Sequence, residues 1–258
     1  MKSVKLYWWK PTKGLKKIFH PRHYNMSSNF GDELSQFIVE ETLKTSVERV
    51  KSEQPNKLLA IGSILHHAQN GDTIWGSGIN GNNLNITVDH LNILSVRGPM
   101  TRNYILKKGI NCPELYGDPG LLVSKYYKPK TNIKKREFGI IPHYTEVNHP
   151  ALKIHKHLII DPRMPLKSVI DQIYSCEYVL SSSLHGLVVA DSYGIPSVHL
   201  RITDNEPDFK YHDYYNGTDR DFNKSLTGIR FKNVDFYKNF NCDLERIADA
   251  LITWYKQP

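Results

Sequence analysis

The chain has 258 residues, enough for one large domain or two small ones, and 40% hydrophobic content with a mean hydropathy of −0.47 is typical of a soluble globular protein. Lysine and arginine outnumber aspartate and glutamate by 34 to 26, which gives a formal charge of +8 and favours anionic partners, although a solvated basic surface has the same composition. No apolar run approaches the roughly twenty residues that a membrane-spanning helix needs.

The three cysteines, Cys112, Cys176 and Cys242, are far apart in the sequence. No C-x-x-C pair or Cys/His metal-binding spacing is present, and an odd number of cysteines argues against a disulfide framework. We therefore predict a reducing, cytoplasmic location.

The N-terminal part opens with a predicted strand over Val4–Trp9, which alternates and is rich in aromatic residues. The basic segment Lys10–Tyr24 follows. Two interpretations of it stay open: peripheral contact with anionic headgroups at the inner membrane face, or a solvated loop. A helix is predicted to begin at residues 29–33, where Gly31 permits close approach of the backbone to a ligand and Asp32 would by default cap the helix.

Several strands of this part end in small or charged residues, which indicates loops that converge at one sheet edge. Strands are predicted over residues 57–63, 73–78 and 94–98, and a further strand is predicted to end in the turn at 115–120. Arg97 lies at a predicted strand end, where a guanidinium can bind phosphate or carboxylate through paired hydrogen bonds. Asp118 is predicted to point into the same cleft, and Pro99 suits the first position of the next helix.

The strand pattern restarts after a polar, basic stretch over Lys125–Glu137, which we interpret as a linker. A strand over Phe138–Tyr144 ends with His143, another strand is predicted over Leu158–Asp161, and a short helix over Leu166–Ser175. The predicted organisation is an N-terminal half (1–127), a linker (128–137) and a C-terminal half (138–258).

The clearest unit of the chain is Glu177–Arg201, which the spacing predicts to be strand, helix and strand around a parallel sheet. Ser182 and Ser183 stand at the helix start, where free backbone N–H groups suit a phosphate or carboxylate. His185 follows in the first helical turn, at the sheet edge where ligands bind in such folds. An imidazole beside an anion site is placed for acid–base chemistry, although a hydrogen-bonded structural histidine is the alternative.

The C-terminal part contains a polar-aromatic segment, Phe209–Asp221, predicted to be a loop and a cleft wall. A last helix is predicted over Leu244–Tyr255, packing across the fold onto the N-terminal half. His66 and His67 are interpreted as structural.

Six short motifs occur in order across nearly the whole chain and together resemble the polysaccharide pyruvyl transferase family. They are N-F-G-D at 29–32, S-V-R-G at 95–98, Y-G-D-P at 116–119, I-P-H-Y at 141–144, S-S-S-L-H-G at 181–186 and F-K-Y-H-D-Y at 209–214. The resemblance implies an α/β fold with two Rossmann-like halves facing a cleft, as in GT-B enzymes. It also implies phosphoenolpyruvate as the donor and a sugar hydroxyl pair as the acceptor, which becomes a pyruvate ketal.

The resemblance implies catalysis by His185, and many family members have an arginine two positions before that histidine, where this chain has Ser183. Donor binding must therefore use other groups. The site residues that we expect are, for catalysis, His185 and Asp32; for the donor, Arg97, Ser182, Ser183, Arg201 and His143; and for the acceptor, Asn29, Asp118 and Lys210. Which residue is the acid and which the base stays open.

Ketal formation needs anion-binding groups, a proton donor and a base for the hydroxyls, but neither a metal nor a cofactor. No H-E-x-x-H motif is present, and we predict no metal requirement. The predicted acceptor is a sugar of a lipid-linked oligosaccharide or polysaccharide precursor, and no nucleic-acid partner is predicted. Two other classes remain: a GT-B glycosyltransferase that uses a nucleotide sugar, and a non-enzymatic binder of anionic glycan or nucleic acid.

Overall fold

The computed structural model describes residues 3–10, 29–81, 85–130, 135–222, 225–227, 236–237 and 239–257. In the N-terminal part, five strands form one sheet in the order β2-β1-β3-β4-β5, and every paired neighbour is parallel. These strands are β1 (Val4–Tyr7), β2 (Val47–Arg49), β3 (Leu58–Leu59), β4 (Thr73–Trp75) and β5 (Asn92–Ser95). Its helices are α1 (Phe30–Leu43), α2 (Pro99–Lys107) and α3 (Val123–Tyr126), with 3-10 turns at Leu65–His67 and Pro119–Leu122.

In the C-terminal part, four strands form a second sheet in the order β6-β7-β8-β9, again with parallel pairs. The strands are β6 (Arg136–Ile141), β7 (Cys176–Ser181), β8 (Ser197–Arg201) and β9 (Leu226–Thr227). The helices are α4 (Leu166–Tyr174), α5 (Leu184–Ser192), α6 (Phe209–Asn216) and α7 (Leu244–Tyr255), and a 3-10 segment covers Pro150–Leu158. The mixed α/β architecture with parallel sheets is consistent with a Rossmann-like arrangement.

One hydrophobic core joins elements from both parts of the chain. It contains Leu6 of β1, Ile141 of β6 and Leu251 of α7 in a single cluster of buried side chains. The indole Nε1 of Trp75 donates to the carbonyl of Ile247 at 2.7 Å, which attaches the last helix to β4. Because α7 carries its buried residues on one face, it covers the first sheet as an amphipathic helix would.

The predicted last helix and the strand–helix–strand unit agree with the structure, whereas three other element predictions are wrong. Residues 115–120 and 158–161 contain single β-bridges instead of strands. The predicted loop at 209–221 begins with α6, which buries Tyr211, Tyr214 and Tyr215. These tyrosines are spaced three and four residues apart, as on one face of a helix. The polar residues between them made this pattern difficult to recognise in the sequence.

One sequence prediction falls almost wholly outside the described residues, and another falls partly outside them. Of the basic segment Lys10–Tyr24, only Lys10 is described. The linker over 128–137 includes four residues that are not described, and β6 already begins at Arg136. Among the helices that the structure describes, none combines the length and apolar character needed to cross a bilayer.

Candidate active site

A cleft of about 250 Å³ opens where loops that follow strands of both sheets meet. Trp9 follows β1, His143 and Tyr144 follow β6, and His185 lies in the first turn of α5. The side chains and backbone that line the cleft belong to Trp9, Asn29, Asp32, Gly62, Ser63, Ile64, His66, His67, Asn80, His143, Tyr144, Ser183, Leu184, His185, Glu206 and Lys210. In the described part of the chain, no group of three or more His, Cys, Asp or Glu side chains is arranged to hold a metal ion.

His185 is held at the cleft by the tight strand-to-helix connection between β7 and α5. Gly31 of α1 lies directly against it: a Cβ atom on Gly31 would come within 2.1 Å of the imidazole Nδ1, so only glycine fits there. Burial, together with the positive charges of Lys210 and Arg97, lowers the pKa of His185 to about 3. The Nε2 atom is buried and has no hydrogen-bond partner among the described residues. A neutral imidazole with a buried, unused nitrogen therefore belongs to the cleft lining.

Lys210 supplies the positive charge of the cleft, beside Glu206 and His143. The Lys210 ammonium is buried and makes an ion pair with the Glu206 carboxylate, while His143 Nδ1 lies 3.7 Å from Glu206 Oε1. Burial lowers the pKa of Lys210, and Glu206 opposes that shift. Burial and the charge of Lys210 lower the pKa of His143 to about 4. An anion that enters the cleft would thus meet one buried ammonium flanked by neutral imidazoles.

Asp32 lies near the start of α1 and accepts a hydrogen bond at Oδ2 from the Asn29 side chain at 2.7 Å. The default expectation that Asp32 caps the helix is wrong, because Asn29 holds the N-cap position. Burial raises the pKa of Asp32 to about 7, and the hydrogen bond from Asn29 opposes the shift only partly. A carboxyl with that pKa can both take and give a proton near neutral pH.

The two predicted serines have different surroundings. Ser183 lines the cleft as the N-cap residue of α5, and its side chain makes no capping bond. Ser182 instead donates from Oγ to the Glu146 carboxylate at 2.5 Å and accepts from the backbone N–H of His143 at 2.8 Å. Ser182 is therefore placed to orient the loop that carries His143.

Arg97 does not line the cleft, contrary to the sequence-based expectation. Its guanidinium is fully buried and forms an ion pair with Asp213 at 3.0 Å. It also donates to Ser63 Oγ and to the Ile79 carbonyl, both at 2.7 Å. A buried guanidinium needs such partners, and α6 supplies the carboxylate. Arg97 thus supports Ser63, which does line the cleft, and its charge contributes to the low pKa of His185.

Asp118 and Arg201 also lie outside the cleft lining. Asp118 is buried and caps the 3-10 turn by accepting from the Gly120 N–H at 2.9 Å, while burial raises its pKa to about 6. Arg201 pairs with the carboxylates of Asp204 and Asp208 at the end of β8. The structure therefore brings together His185, Asp32, Asn29, His143, Ser183 and Lys210 but not Arg97, Ser182, Asp118 or Arg201.

Comparison with known proteins decides the family. The family model described as polysaccharide pyruvyl transferase matches residues 61–205, more than half of the chain. The chain belongs to the polysaccharide pyruvyl transferase family.

Two curated proteins are similar to this polysaccharide pyruvyl transferase family member. Uncharacterized protein L143 of Acanthamoeba polyphaga mimivirus is 28% identical over 94% of the chain and 90% of L143. The succinoglycan biosynthesis protein ExoV of Rhizobium meliloti is 30% identical over 72% of the chain and 60% of ExoV. A solved structure of an uncharacterized Klebsiella pneumoniae protein aligns with a TM-score of 0.49 at 13% identity, covering 88% of this chain and 93% of that one.

Several cleft residues of this family member escaped the sequence reasoning. Trp9, Tyr144 and Glu206 were not selected as site residues, and His66 and His67, which were interpreted as structural, also line the cleft. Tyr144 follows the predicted strand-end residue His143, so position at a strand end was an available signal. Glu206 also had a local signal, since it lies four residues before Lys210, the spacing of an i,i+4 ion pair.

Proposed function

We propose that this family member transfers pyruvate from phosphoenolpyruvate to two hydroxyls of one sugar and releases inorganic phosphate, with the two Rossmann-like halves facing the cleft as in GT-B enzymes. The observation that carries the proposal is the position of His185. The imidazole, with its buried unused nitrogen, lines one small cleft together with the buried ammonium of Lys210 and the near-neutral carboxyl of Asp32. Anion binding, protonation and hydroxyl activation are the three tasks that ketal formation requires.

Donor binding is assigned to Lys210, His143 and the start of α5 at Ser183. The ammonium of Lys210 supplies charge, and the first N–H groups of a helix have no partners within the helix and favour an anion. Arg97 supports the donor site without lining it, through its positive charge and through its hydrogen bond to Ser63. Because phosphoenolpyruvate is itself strongly anionic, its binding would raise the pKa values of His185 and His143 and promote proton uptake.

In the proposed reaction, His185 donates a proton to the methylene carbon C3 of phosphoenolpyruvate. The C2–O bond to phosphate breaks with its electron pair leaving on the phosphate, and each sugar hydroxyl forms one new C–O bond to C2. Asp32 is the first acceptor of the hydroxyl protons. One of the two protons then replaces the proton that His185 donated, and the other leaves with phosphate. Asn29, which is hydrogen-bonded to Asp32, would orient the carboxyl. Such proton transfers contribute about 10²- to 10⁴-fold each.

The acceptor that we propose is a sugar of a lipid-linked oligosaccharide or polysaccharide precursor. The family membership and the similarity to a succinoglycan biosynthesis protein support this substrate class. The proposed setting is the cytoplasm, at or near the membrane that carries the precursor.

The test is phosphate release from phosphoenolpyruvate with a panel of β-galactosides, soluble and lipid-linked, followed by mass spectrometry of the glycan. A product that gains one ketal-linked pyruvate is expected from the wild type. His185→Gln should lower turnover about 10²- to 10⁴-fold without a change in thermal unfolding. Near-normal turnover by a folded His185→Gln variant would remove His185 from the mechanism. A melting shift with nucleotide sugars but none with phosphoenolpyruvate would instead favour glycosyl transfer.

A further inference from the structure

The described lining of the cleft holds a single lysine or arginine side chain, and the space away from it suits an uncharged group. The charge of Lys210 acts on both His143 and His185, which places these three groups together. The charge of Asp32 acts on Tyr144 and Tyr7, and the charge of Glu206 also acts on Tyr144. Among the described residues that line the cleft, Lys210 alone is a lysine or arginine. The part of the cleft beside Asp32 is therefore expected to accept an uncharged group.

An aromatic wall, formed by Trp9 and Tyr144, lines part of the cleft. The rings of Trp9 and Tyr144 stack with centroids 5.4 Å apart and planes inclined by 28°. The ring of His143 continues the row, with its centroid 4.4 Å from that of Tyr144. Trp9 and Tyr144 are each partly exposed and both line the cleft. The wall thus combines apolar ring surface with polar ring edges at the mouth of the site.

A pair of imidazoles lies in the same cleft, on the 3-10 turn Leu65–His67. The centroids of His66 and His67 are 4.0 Å apart, and His67 packs edge-on against Tyr7 at 5.1 Å. Burial lowers the pKa of both histidines, so each ring offers one N–H donor and one acceptor nitrogen at neutral pH. The Nδ1 atom of His66 is buried and has no hydrogen-bond partner among the described residues. Such an atom calls for a ligand or water partner.

We propose that Trp9, Tyr144 and His66 form a pyranose subsite that binds the acceptor sugar beside Asp32. A pyranose ring presents an apolar face of C–H groups and a rim of hydroxyls, which matches an aromatic wall with nearby neutral imidazoles. The Trp9–Tyr144 wall would hold the ring face, and His66 would hydrogen-bond a hydroxyl. This inference rests on the proposed function for the identity of the acceptor, but sugar binding itself does not require turnover.

The first measurement is direct binding of methyl β-galactopyranoside at millimolar concentration by saturation-transfer difference NMR, without phosphoenolpyruvate. Trp9→Leu should weaken binding about fivefold to tenfold, whereas Trp9→Phe should keep most of it because a ring face remains. His66→Leu should also weaken binding, and His66→Asn should retain more, since its amide can stand near the position of Nδ1. Thermal unfolding of each variant confirms that it is folded.

Two variants serve as matched controls. Trp254→Leu changes a partly buried tryptophan that lines a separate cavity, and His90→Leu changes an exposed histidine of the same N-terminal part. Both should bind the pyranoside as the wild type does. Wild-type binding by Trp9→Leu and His66→Leu would overturn the proposal, and so would an absence of pyranoside binding by the wild type.

Steady-state kinetics then separates this inference from the proposed function. If both hold, Trp9→Leu and His66→Leu raise the KM for the acceptor about fivefold to tenfold and leave the KM for phosphoenolpyruvate unchanged. If the chain binds pyranosides through Trp9 and His66 but forms no ketal, the subsite stands and the proposed reaction fails. If ketal forms with an unchanged acceptor KM in these variants, the reaction stands and the subsite is wrong.

Discussion

Two buried lysines of this chain make the same kind of ion pair in different surroundings. Lys57 pairs with Asp72, and both side chains are 0% exposed. Lys210 pairs with Glu206, and these side chains are 7% and 22% exposed at the wall of the cleft. The contrast shows that an ion pair does not by itself distinguish a structural lysine from a functional one. What distinguishes them is whether the ammonium borders a space that a ligand can enter.

The partners of the two carboxylates support that distinction. Asp72 also accepts from the backbone N–H groups of Lys57 and Gln69, at 3.0 and 2.7 Å, so its oxygens are used within the fold. Glu206 lies beside His143 as well as Lys210. Burial works to raise the pKa of Glu206, but the charge of Lys210, the neighbouring His143 and the hydrogen bond from Lys210 outweigh it and the pKa is lowered. Glu206 thus partly neutralises the positive charge of Lys210 at the wall of an otherwise open site.

The largest expected effect is on stability, from Lys57→Met. Removing one partner leaves the Asp72 carboxylate buried without its counter-charge, which should lower the free energy of unfolding by about 3–5 kcal/mol. Urea unfolding measures this loss. The double variant Lys57→Met with Asp72→Leu should recover much of the stability, and a loss below about 1 kcal/mol in the single variant would contradict the structural role.

Lys210→Met should mainly weaken the binding of phosphoenolpyruvate. Because a hydrogen bond to a charged group contributes about 1.5–3 kcal/mol, the Kd for phosphoenolpyruvate should rise about 10- to 100-fold. Calorimetry measures the affinity, and urea unfolding should show a smaller loss than Lys57→Met, since Glu206 keeps access to solvent. Unchanged affinity in a folded Lys210→Met variant would mean that the two lysines are equivalent after all.

The effect of Asp32→Asn on the free energy of unfolding is expected to depend on pH, unlike that of Lys57→Met. The raised pKa of Asp32 means that the folded state holds this proton more tightly than the unfolded state. The stability due to Asp32 is therefore present below about pH 4 and is lost as the pH rises through about 7. Relative to the wild type, Asp32→Asn should gain ~1 kcal/mol or more between pH 4 and pH 8 while ketal formation falls. Thermal unfolding across this range checks the gain, and a pH-independent difference would contradict the raised pKa.

The smallest effect is expected from Glu206→Gln. The carboxylate competes with an anionic donor for Lys210, so its neutralisation should tighten phosphoenolpyruvate binding about twofold to tenfold. The same titration calorimetry measures the change. Weaker binding in this variant would show that Glu206 serves mainly to position the ammonium.

Local sequence patterns were sufficient to predict those elements whose signals lie on residues close together in the chain. The helix over Leu244–Tyr255 and the unit that presents His185 were predicted because apolar spacing, serines at a strand end and a glycine stop are local signals. Asn29 and Asp32 were also selected, each near a predicted helix start. The helix over Phe209–Asn216 was missed because its buried tyrosines are separated by charged and polar residues.

The sequence by itself determined an α/β chain with parallel strands, the family to which it belongs, and the helix start that carries His185. Only the tertiary structure decided which charged groups face the cleft. Arg97 turns inward because Asp213, 116 residues away, satisfies its guanidinium, whereas Lys210 reaches the cleft wall. Trp9 and Tyr144 meet because loops from two sheets converge. The physical reason is that burial and pairing of a charge depend on groups brought together from distant parts of the chain, which spacing along the sequence does not encode.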